Sequence, residues 1–184
     1  MKKKKGHAAV YVSVGILALG LISLIASTVL TLQKSDLQSQ KIQNVLKHAT
    51  LAAAIYDTKQ YGTDHSIVIT DVNTSYNEFL KSLKESMYLD DNMNSLDKGY
   101  TKGKVKVEKF IIYNVKGNDV EVITKGSIGE SKVLYKDQKG KIKTPGDIIV
   151  DKTMIYSKIN FTITILGEDI EDANKDVTIG VVNS

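Results

Sequence analysis

The stretch from Ala8 to Leu32 contains no charged side chain, and four consecutive lysines, Lys2–Lys5, stand immediately before it. A helix rises 1.5 Å per residue, so about 25 such residues exceed the roughly 30 Å hydrocarbon core of a bilayer. The sequence therefore predicts a basic tail over residues 1–7 and a transmembrane helix over residues 8–32. Because lysines favour the cytoplasmic side, we expect a single-pass protein with its N-terminus in the cytoplasm and its C-terminal domain outside the cell.

A cleavable signal peptide is the main alternative for this segment. Signal peptides also begin with basic residues, but their apolar part usually covers only about 7–15 residues before a small-residue cleavage site. Here the apolar run is longer, and it continues past the weak candidate site at Ala26-Ser27-Thr28. This difference in length favours a helix that is retained in the membrane.

The composition argues against several classes of function. All 25 basic residues are lysine, and beyond Lys2–Lys5 the remaining 21 lysines balance the 21 acidic residues. The sequence pI of about 9.0 therefore reflects the tail, and it gives no reason to expect nucleic-acid binding, which concentrates positive charge on one face and uses arginine. The chain has no cysteine, which excludes disulfides, a thiolate zinc site and a lipidated cysteine anchor.

A second helical pattern follows the apolar run. From Gln33 to Tyr56 there is no proline or glycine, and apolar residues recur at helical spacing opposite a polar face. We predict one continuous helix of about 50 residues, with an amphipathic stem over residues 33–60. The stem can pack on the protein's own C-terminal domain, on copies of itself, or on both. Its predicted packing face consists of Ile42, Val45, Leu46, Ala49, Ala52, Ala53 and Tyr56.

The N-terminal region resembles that of a known family. The segment Lys5-Gly6-His7-Ala8-Ala9-Val10-Tyr11, the apolar run and the alanine-rich helix around Ala49–Ala54 resemble the start of TadE-like proteins, which are pseudopilins related to type IV pilins. The resemblance covers roughly the first 55 residues. It implies that a prepilin peptidase cleaves after Gly6 and leaves His7 as the new N-terminus. The chain departs from the family where Tyr11 replaces a glutamate that, in pilins, pairs with a neighbour's terminal amine.

Residues 61–184 read as an extracytoplasmic α+β domain. We predict a strand over His65–Thr70, then a helix from an N-cap at Ser75, within a capping box, to about Met87, and a polar loop over Asp90–Gly103. Turn signals lie at Lys116–Asp119, Lys139–Lys141 and Pro145–Asp147. Further strands are predicted at Val105–Tyr113, Asp119–Lys125, Ser131–Tyr135, Ile148–Val150, Met154–Leu166 and Val177–Val182.

The fold class is therefore α+β. A long N-terminal helix, transmembrane and then amphipathic, precedes a C-terminal head built on an antiparallel sheet of about 4–6 strands. Together with the resemblance to TadE-like proteins, this arrangement implies a pilin-like fold.

Motifs that bind ions or perform catalysis are weak in this chain. Asp90–Asn94 looks like the start of a calcium loop, but Ser95 stands where glycine is needed and Thr101 where the bidentate glutamate should be. The acidic cluster Glu168–Asp172 reads as a solvated turn, with a weak divalent-ion site as the alternative. The histidines have no spaced ligand partners, and no catalytic motif is present, so we expect neither a metal, nor a cofactor, nor an enzyme.

Two classes of function remain from the sequence. The first is a pilin-like structural subunit of a bacterial surface filament or secretion apparatus, with the lipid bilayer and copies of itself or of other pilin-like subunits as partners. The second is a membrane-tethered accessory or binding protein of a conjugation, secretion or envelope complex that does not polymerise. Neither involves nucleic acid or an evident small-molecule substrate.

Overall fold

The computed structural model describes residues 5–96, 99, 101–127, 129–165 and 168–181. The chain divides into two compact units, Met1–Ser39 and Gln40–Ser184. Of the predicted features, Lys2–Lys4, part of the 90–103 loop, and the ends of the predicted strands at Leu166 and Val182 lie outside the described residues. The elements in chain order are α1 Lys5–Ala52, α2 Thr58–Asp64, α3 Val72–Met87, β1 Lys102–Lys116, β2 Asp119–Lys125, β3 Ser131–Tyr135, β4 Met154–Ile165 and β5 Glu168–Gly180.

In the described part of the chain, the first unit is helix α1 from Lys5 to Ser39, which contains the apolar run. The predicted long helix is confirmed as far as Ala52. Every side chain from Val10 to Leu30 is exposed. The hydroxyls of Thr28 and Thr31 donate to the carbonyl oxygens four residues earlier, at 3.0 and 2.9 Å, so they add little polarity to the helix surface. Among the described residues, this is the one helix that is long and apolar enough to span a membrane.

The second unit is built on a five-stranded antiparallel sheet with the strand order β3-β2-β1-β4-β5. The predicted α+β class and antiparallel sheet are thereby confirmed. Strands β1 and β2 are joined by the predicted tight turn, in which Lys116 faces Asp119 and Gly117 adopts a φ of +61°. That backbone conformation is easy for glycine and strained for most other residues, which explains why glycine marks this turn.

The two faces of the sheet are covered differently. Alternate residues of β1 point to opposite sides, so Phe110 and Ile112 belong to one core cluster and Ile111 and Tyr113 to another. We call the first side the helix face, because α1 and α3 pack there. The rings of Phe79 on α3 and Phe110 lie 5.0 Å apart at its centre. This cluster forms the main core of the second unit.

The opposite side, which we call the loop face, is covered by residues 136–153. Val150 and Ile142 from this loop pack against Tyr113 and Tyr156 of the sheet. Burial raises the pKa of Tyr113 to about 12, as expected for a phenol held away from water. The predicted turn at Pro145–Asp147 lies in this loop and is closed by a 2.9 Å hydrogen bond from Asp147 N to the carbonyl of Thr144.

The predicted start of α3 was wrong. The helix begins at Val72, and its N-cap is Asp71, whose carboxylate accepts a 2.9 Å hydrogen bond from Thr74 N. Hydrogen bonds from the backbone and then the side chain of Thr74 hold the pKa of Asp71 below its usual range. A carboxylate is a stronger cap than a hydroxyl, and the buried Ser75 hydroxyl instead donates to the carbonyl of Ala53 at 2.6 Å.

The predicted strand His65–Thr70 does not join the sheet. Its backbone is satisfied by a side chain: Ile69 N donates to Asn114 Oδ1 at 2.8 Å, and Asn114 Nδ2 donates to the carbonyl of Ile69 at 2.9 Å. In addition, Asp57 N donates to the carbonyl of Val68. The segment is apolar because Val68 and Ile69 are buried, not because it pairs in a ladder.

Two further predictions need correction. Ile148–Val150, predicted as a strand, lies in the covering loop. The predicted turn at Lys139–Lys141 lies in the same loop, where Gly140 N donates to the carbonyl of Val150 at 2.8 Å. The acidic cluster Glu168–Asp172 is the first part of strand β5 and not a turn. Its pairing continues the hairpin with β4, in which Ile163 faces Ile170. Charge alone therefore gave the wrong location for the turn.

The role of Asn114 can be tested by substitution. In Asn114→Ala the buried N–H and C=O of Ile69 lose their partners, and each group left unpaired should cost about 1–3 kcal/mol. We expect a clearly lower free energy of unfolding for the full chain in detergent, measured by urea titration. The control Asn44→Ala changes an exposed asparagine and should stay within about 0.5 kcal/mol of wild type. Equal stability of the two variants would contradict the assignment.

Candidate functional site: the two surfaces of the long helix

The residues of the predicted packing face lie in the second unit. Ile42, Leu46, Ala49 and Ala53 are completely buried in the main core. Val45 and Tyr56 are half-buried against the same core, and Ala52 is exposed. The spacing of the buried residues is helical, and the opposite side of this part of α1 presents exposed residues to solvent, namely Lys41, Asn44, Lys47 and His48.

Polar contacts that the sequence did not reveal join this part of α1 to the sheet. The Thr50 hydroxyl lies 2.6 Å from that of Ser157 on β4 and donates to the carbonyl of Leu46 at 2.7 Å. Gln43 Nε2 donates to the carbonyl of Asp176 on β5 at 2.9 Å. Thr50 and Ser157 are both fully buried, so this hydroxyl pair also fixes the register between helix and sheet. One signal in the sequence indicated that Thr50 is buried, namely its position four residues after the apolar Leu46, on the same side of the helix.

The structure thus places the four most buried residues of the predicted face against the protein's own sheet. A side chain with no exposed surface cannot contact a second copy unless the core opens. For Ile42, Leu46, Ala49 and Ala53, packing within the chain therefore accounts for the apolar stripe. Any contact between copies must use other surfaces.

In the first unit, by contrast, the apolar side chains are exposed. Large apolar side chains along it are highly exposed, from 46% at Val29 to 75% at Tyr11. An uninterrupted apolar surface of this length needs lipid or another apolar surface to cover it. The proposed processing residues Gly6 and His7 both lie in α1, directly after its first residue, Lys5.

The ion-binding candidates are occupied by internal contacts. Asp90 accepts hydrogen bonds from the backbone N–H groups of Asn92 and Asn94 at 2.9 and 2.8 Å, which caps its own turn. Asp169 accepts from Thr164 Oγ1 at 2.6 Å and pairs with Lys102 Nζ at 2.9 Å. Within the described ranges, no group of three His, Asp or Glu side chains is placed to hold a metal ion.

The resolved pKa shifts also point to structural roles. Hydrogen bonds from Asn94 lower the pKa of Asp90, and those from Thr164 and then Lys102 lower the pKa of Asp169. Burial raises the pKa values of Tyr76 and Tyr156. Each of these shifts thus follows from burial or from a hydrogen bond within the head.

One open cleft of about 330 Å³ lies beside β2 and β3 and is lined in part by Gln60, Asn114, Glu121 and Leu134. Its polar groups already have partners. Asn114 holds the backbone of Ile69, and Glu121 pairs with Lys132 at 2.7 Å. These two side chains therefore serve contacts within the head.

Comparison with protein-family models, with curated proteins and with solved structures finds no match.

The packing of the buried face gives a direct prediction. Ala49→Asp places a carboxylate without a partner in the core and should cost about 3 kcal/mol or more. Asn44→Asp introduces the same side chain on the exposed side of the same helix and should change stability by less than about 0.5 kcal/mol. Thermal unfolding of both variants in detergent, followed by near-ultraviolet circular dichroism, measures the difference. A wild-type melting temperature for Ala49→Asp would mean that this face is solvated.

Proposed function

We propose that this protein is a membrane-anchored structural subunit of the pilin-like, TadE-like kind, belonging to a bacterial surface filament or an export apparatus. The observation that carries the proposal is helix α1. Its residues from Val10 to Leu30 are uncharged and exposed, whereas Ile42, Leu46 and Ala49 near its end belong to the core of a β-sheet head. One uninterrupted helix thus supplies both a membrane anchor and a structural part of the head.

The lysines give the anchor its direction. Lys2–Lys5 precede the apolar run, and basic residues next to a transmembrane helix stay on the cytoplasmic side. Asp36 and all later acidic residues follow the run. In this proposal the head lies outside the cell, where a protein without cysteine depends on its core for stability.

Contacts between copies then fall on the apolar part of α1. Tyr11 cannot provide the carboxylate that pilins pair with a neighbour's terminal amine, and it needs no buried charge partner in lipid. Gly15 lies on the exposed helix surface, and a side-chain carbon built there would meet nothing within 4 Å. Small residues such as Gly15 and Ala18 let neighbouring helices approach closely, so packing in this proposal replaces the ion pair.

The second candidate is a tethered accessory protein that does not polymerise. It is favoured by the burial of Ile42, Leu46 and Ala49 within their own head, which removes these residues from contacts between copies. It is also favoured by Tyr11, because the expected glutamate would otherwise promote assembly. The two candidates share the membrane anchor and differ in whether copies associate.

Electron microscopy of the full chain purified from membranes separates the two candidates. The structural-subunit proposal predicts filaments or ordered arrays, and N-terminal sequencing that begins at His7. Gly15→Leu should reduce assembly because it blocks close approach of helices, whereas Ile16→Leu, at the neighbouring position, should assemble as wild type. Discrete particles together with an intact lysine tail would overturn the structural-subunit proposal in favour of a tethered protein.

A further inference from the structure

We propose that the head carries its own site for a second copy, at the free edge of strand β3, where two β3 strands pair antiparallel and extend the sheet from one copy to the next. This inference rests on the proposed function in one respect, since the membrane anchor is what brings copies together. It does not require the apolar helices to contact each other. It assigns a partner surface to the head, which the anchor alone does not.

Strand β3 is a free edge of the sheet. In the described part of the chain it pairs with β2 alone, and all five of its residues are exposed. Three of them are consecutive and apolar, and Val133, Leu134 and Tyr135 keep 44%, 56% and 43% of their surface accessible. An edge strand with unpaired backbone groups and apolar side chains is a template for pairing with another strand.

The other edge of the same sheet is protected. Four of the first five residues of strand β5 are acidic, namely Glu168, Asp169, Glu171 and Asp172. The pairing of β5 with β4 is irregular between Phe161 and Ile163. Asp172 there has a φ of +54°. Charges and bulges are the devices that proteins use to prevent pairing at an edge. Strand β3 carries one charge, Lys132, which pairs with Glu121 at 2.7 Å, so β3 is the less protected edge and the one better suited to a partner.

Symmetry limits the register of such a pair. Two antiparallel neighbours of the same sequence are related by a two-fold axis normal to the sheet, so residues that face each other must point to the same side. Val133 faces Val122 of β2, and Leu134 faces Glu121, so successive residues of β3 alternate between the loop face and the helix face. One residue of the strand must therefore face its own copy across the axis, and Val133 and Leu134 are the central choices.

Charge decides between these two registers. Centring on Leu134 sets Lys132 opposite Lys136 twice. Lys132 pairs with Glu121 of its own copy at 2.7 Å, but Lys136 then faces a lysine and no carboxylate. Centring on Val133 sets Glu130 opposite Lys136 twice, so each copy supplies both signs. Both side chains are exposed, and Glu130 Oε2 also lies 3.4 Å from Lys125 Nζ of its own copy. We therefore infer a second copy as the occupant of this edge, with Val133 facing Val133 of the second copy across the two-fold axis.

Five residues form a small contact, so the pair needs a high local concentration. Anchoring in one bilayer supplies it, because the heads are confined to a thin layer at the membrane surface. We expect head pairs at high protein density in membranes and few pairs in dilute detergent. This dependence on density separates the site from an obligate dimer interface.

The lack of cysteine makes a direct test possible. Full-length Val133→Cys in phosphatidylcholine vesicles should form a covalent dimer on oxidation, because facing residues of an antiparallel pair lie within disulfide distance. Ile170→Cys is the matched control, since Ile170 is exposed to the same 44% but lies on β5. Leu134→Cys tests the register. We expect at least fivefold more dimer from Val133→Cys than from either of the other two variants.

Charge reversal completes the test. Starting from Val133→Cys, Lys136→Glu should reduce dimer several-fold, and adding Glu130→Lys should restore it. Flotation of each variant with the vesicles reports anchoring separately, and its melting temperature reports folding. Equal dimer from Val133→Cys and Ile170→Cys in floated, folded protein would overturn the proposal. So would predominant cross-links between Val133→Cys and Ile170→Cys in a mixture, which would indicate pairing of β3 with β5.

Discussion

The packing of the end of α1 on the sheet is the interaction on which the rest of the head depends. Ile42, Leu46 and Ala49 have no exposed surface, and burying a side chain the size of Ile42 or Leu46 contributes about 1.5–3 kcal/mol. The same helix contacts the sheet through the Thr50–Ser157 hydroxyl pair, and the carbonyl of Ala53, directly after the helix, accepts a hydrogen bond from Ser75 of α3. In the described part of the chain the side chains from Val10 to Leu30 are exposed, and an apolar surface of this length needs lipid or another apolar surface to cover it.

Patterns that depend on neighbouring residues were predictable from the sequence. The apolar run and the helical stripe predicted a continuous helix, and it extends from Lys5 to Ala52. Strands β2 and β3 have the predicted bounds, because short runs of β-branched and aromatic residues between turn residues define both. The Gly117 turn was predictable for the same reason, since a two-residue hairpin needs a positive φ.

Features set by distant partners were not predictable. Val68 and Ile69 look like strand residues, but the Asn114 side chain takes the backbone bonds that a neighbouring strand would otherwise supply. Ser75 fits a capping box, but the Asp71 carboxylate accepts the hydrogen bond that caps α3. The Ser75 hydroxyl instead donates to the carbonyl of Ala53. Part of the candidate site was equally hidden. The stripe containing Ile42 predicted packing on the protein's own domain, on copies of itself or on both, and the sequence alone did not decide between these partners.

The central claim is that one helix passes from lipid into the core of the head, and cysteine labelling tests it most directly. Single-cysteine variants Leu21→Cys, Ile25→Cys and Asn44→Cys of the full chain, in intact cells, are treated with a membrane-impermeant maleimide. The account predicts that Asn44→Cys reacts from outside, whereas Leu21→Cys and Ile25→Cys react only after detergent dissolves the membrane. Labelling of Leu21→Cys or Ile25→Cys without detergent would contradict the account, because the apolar helix would then lie in water.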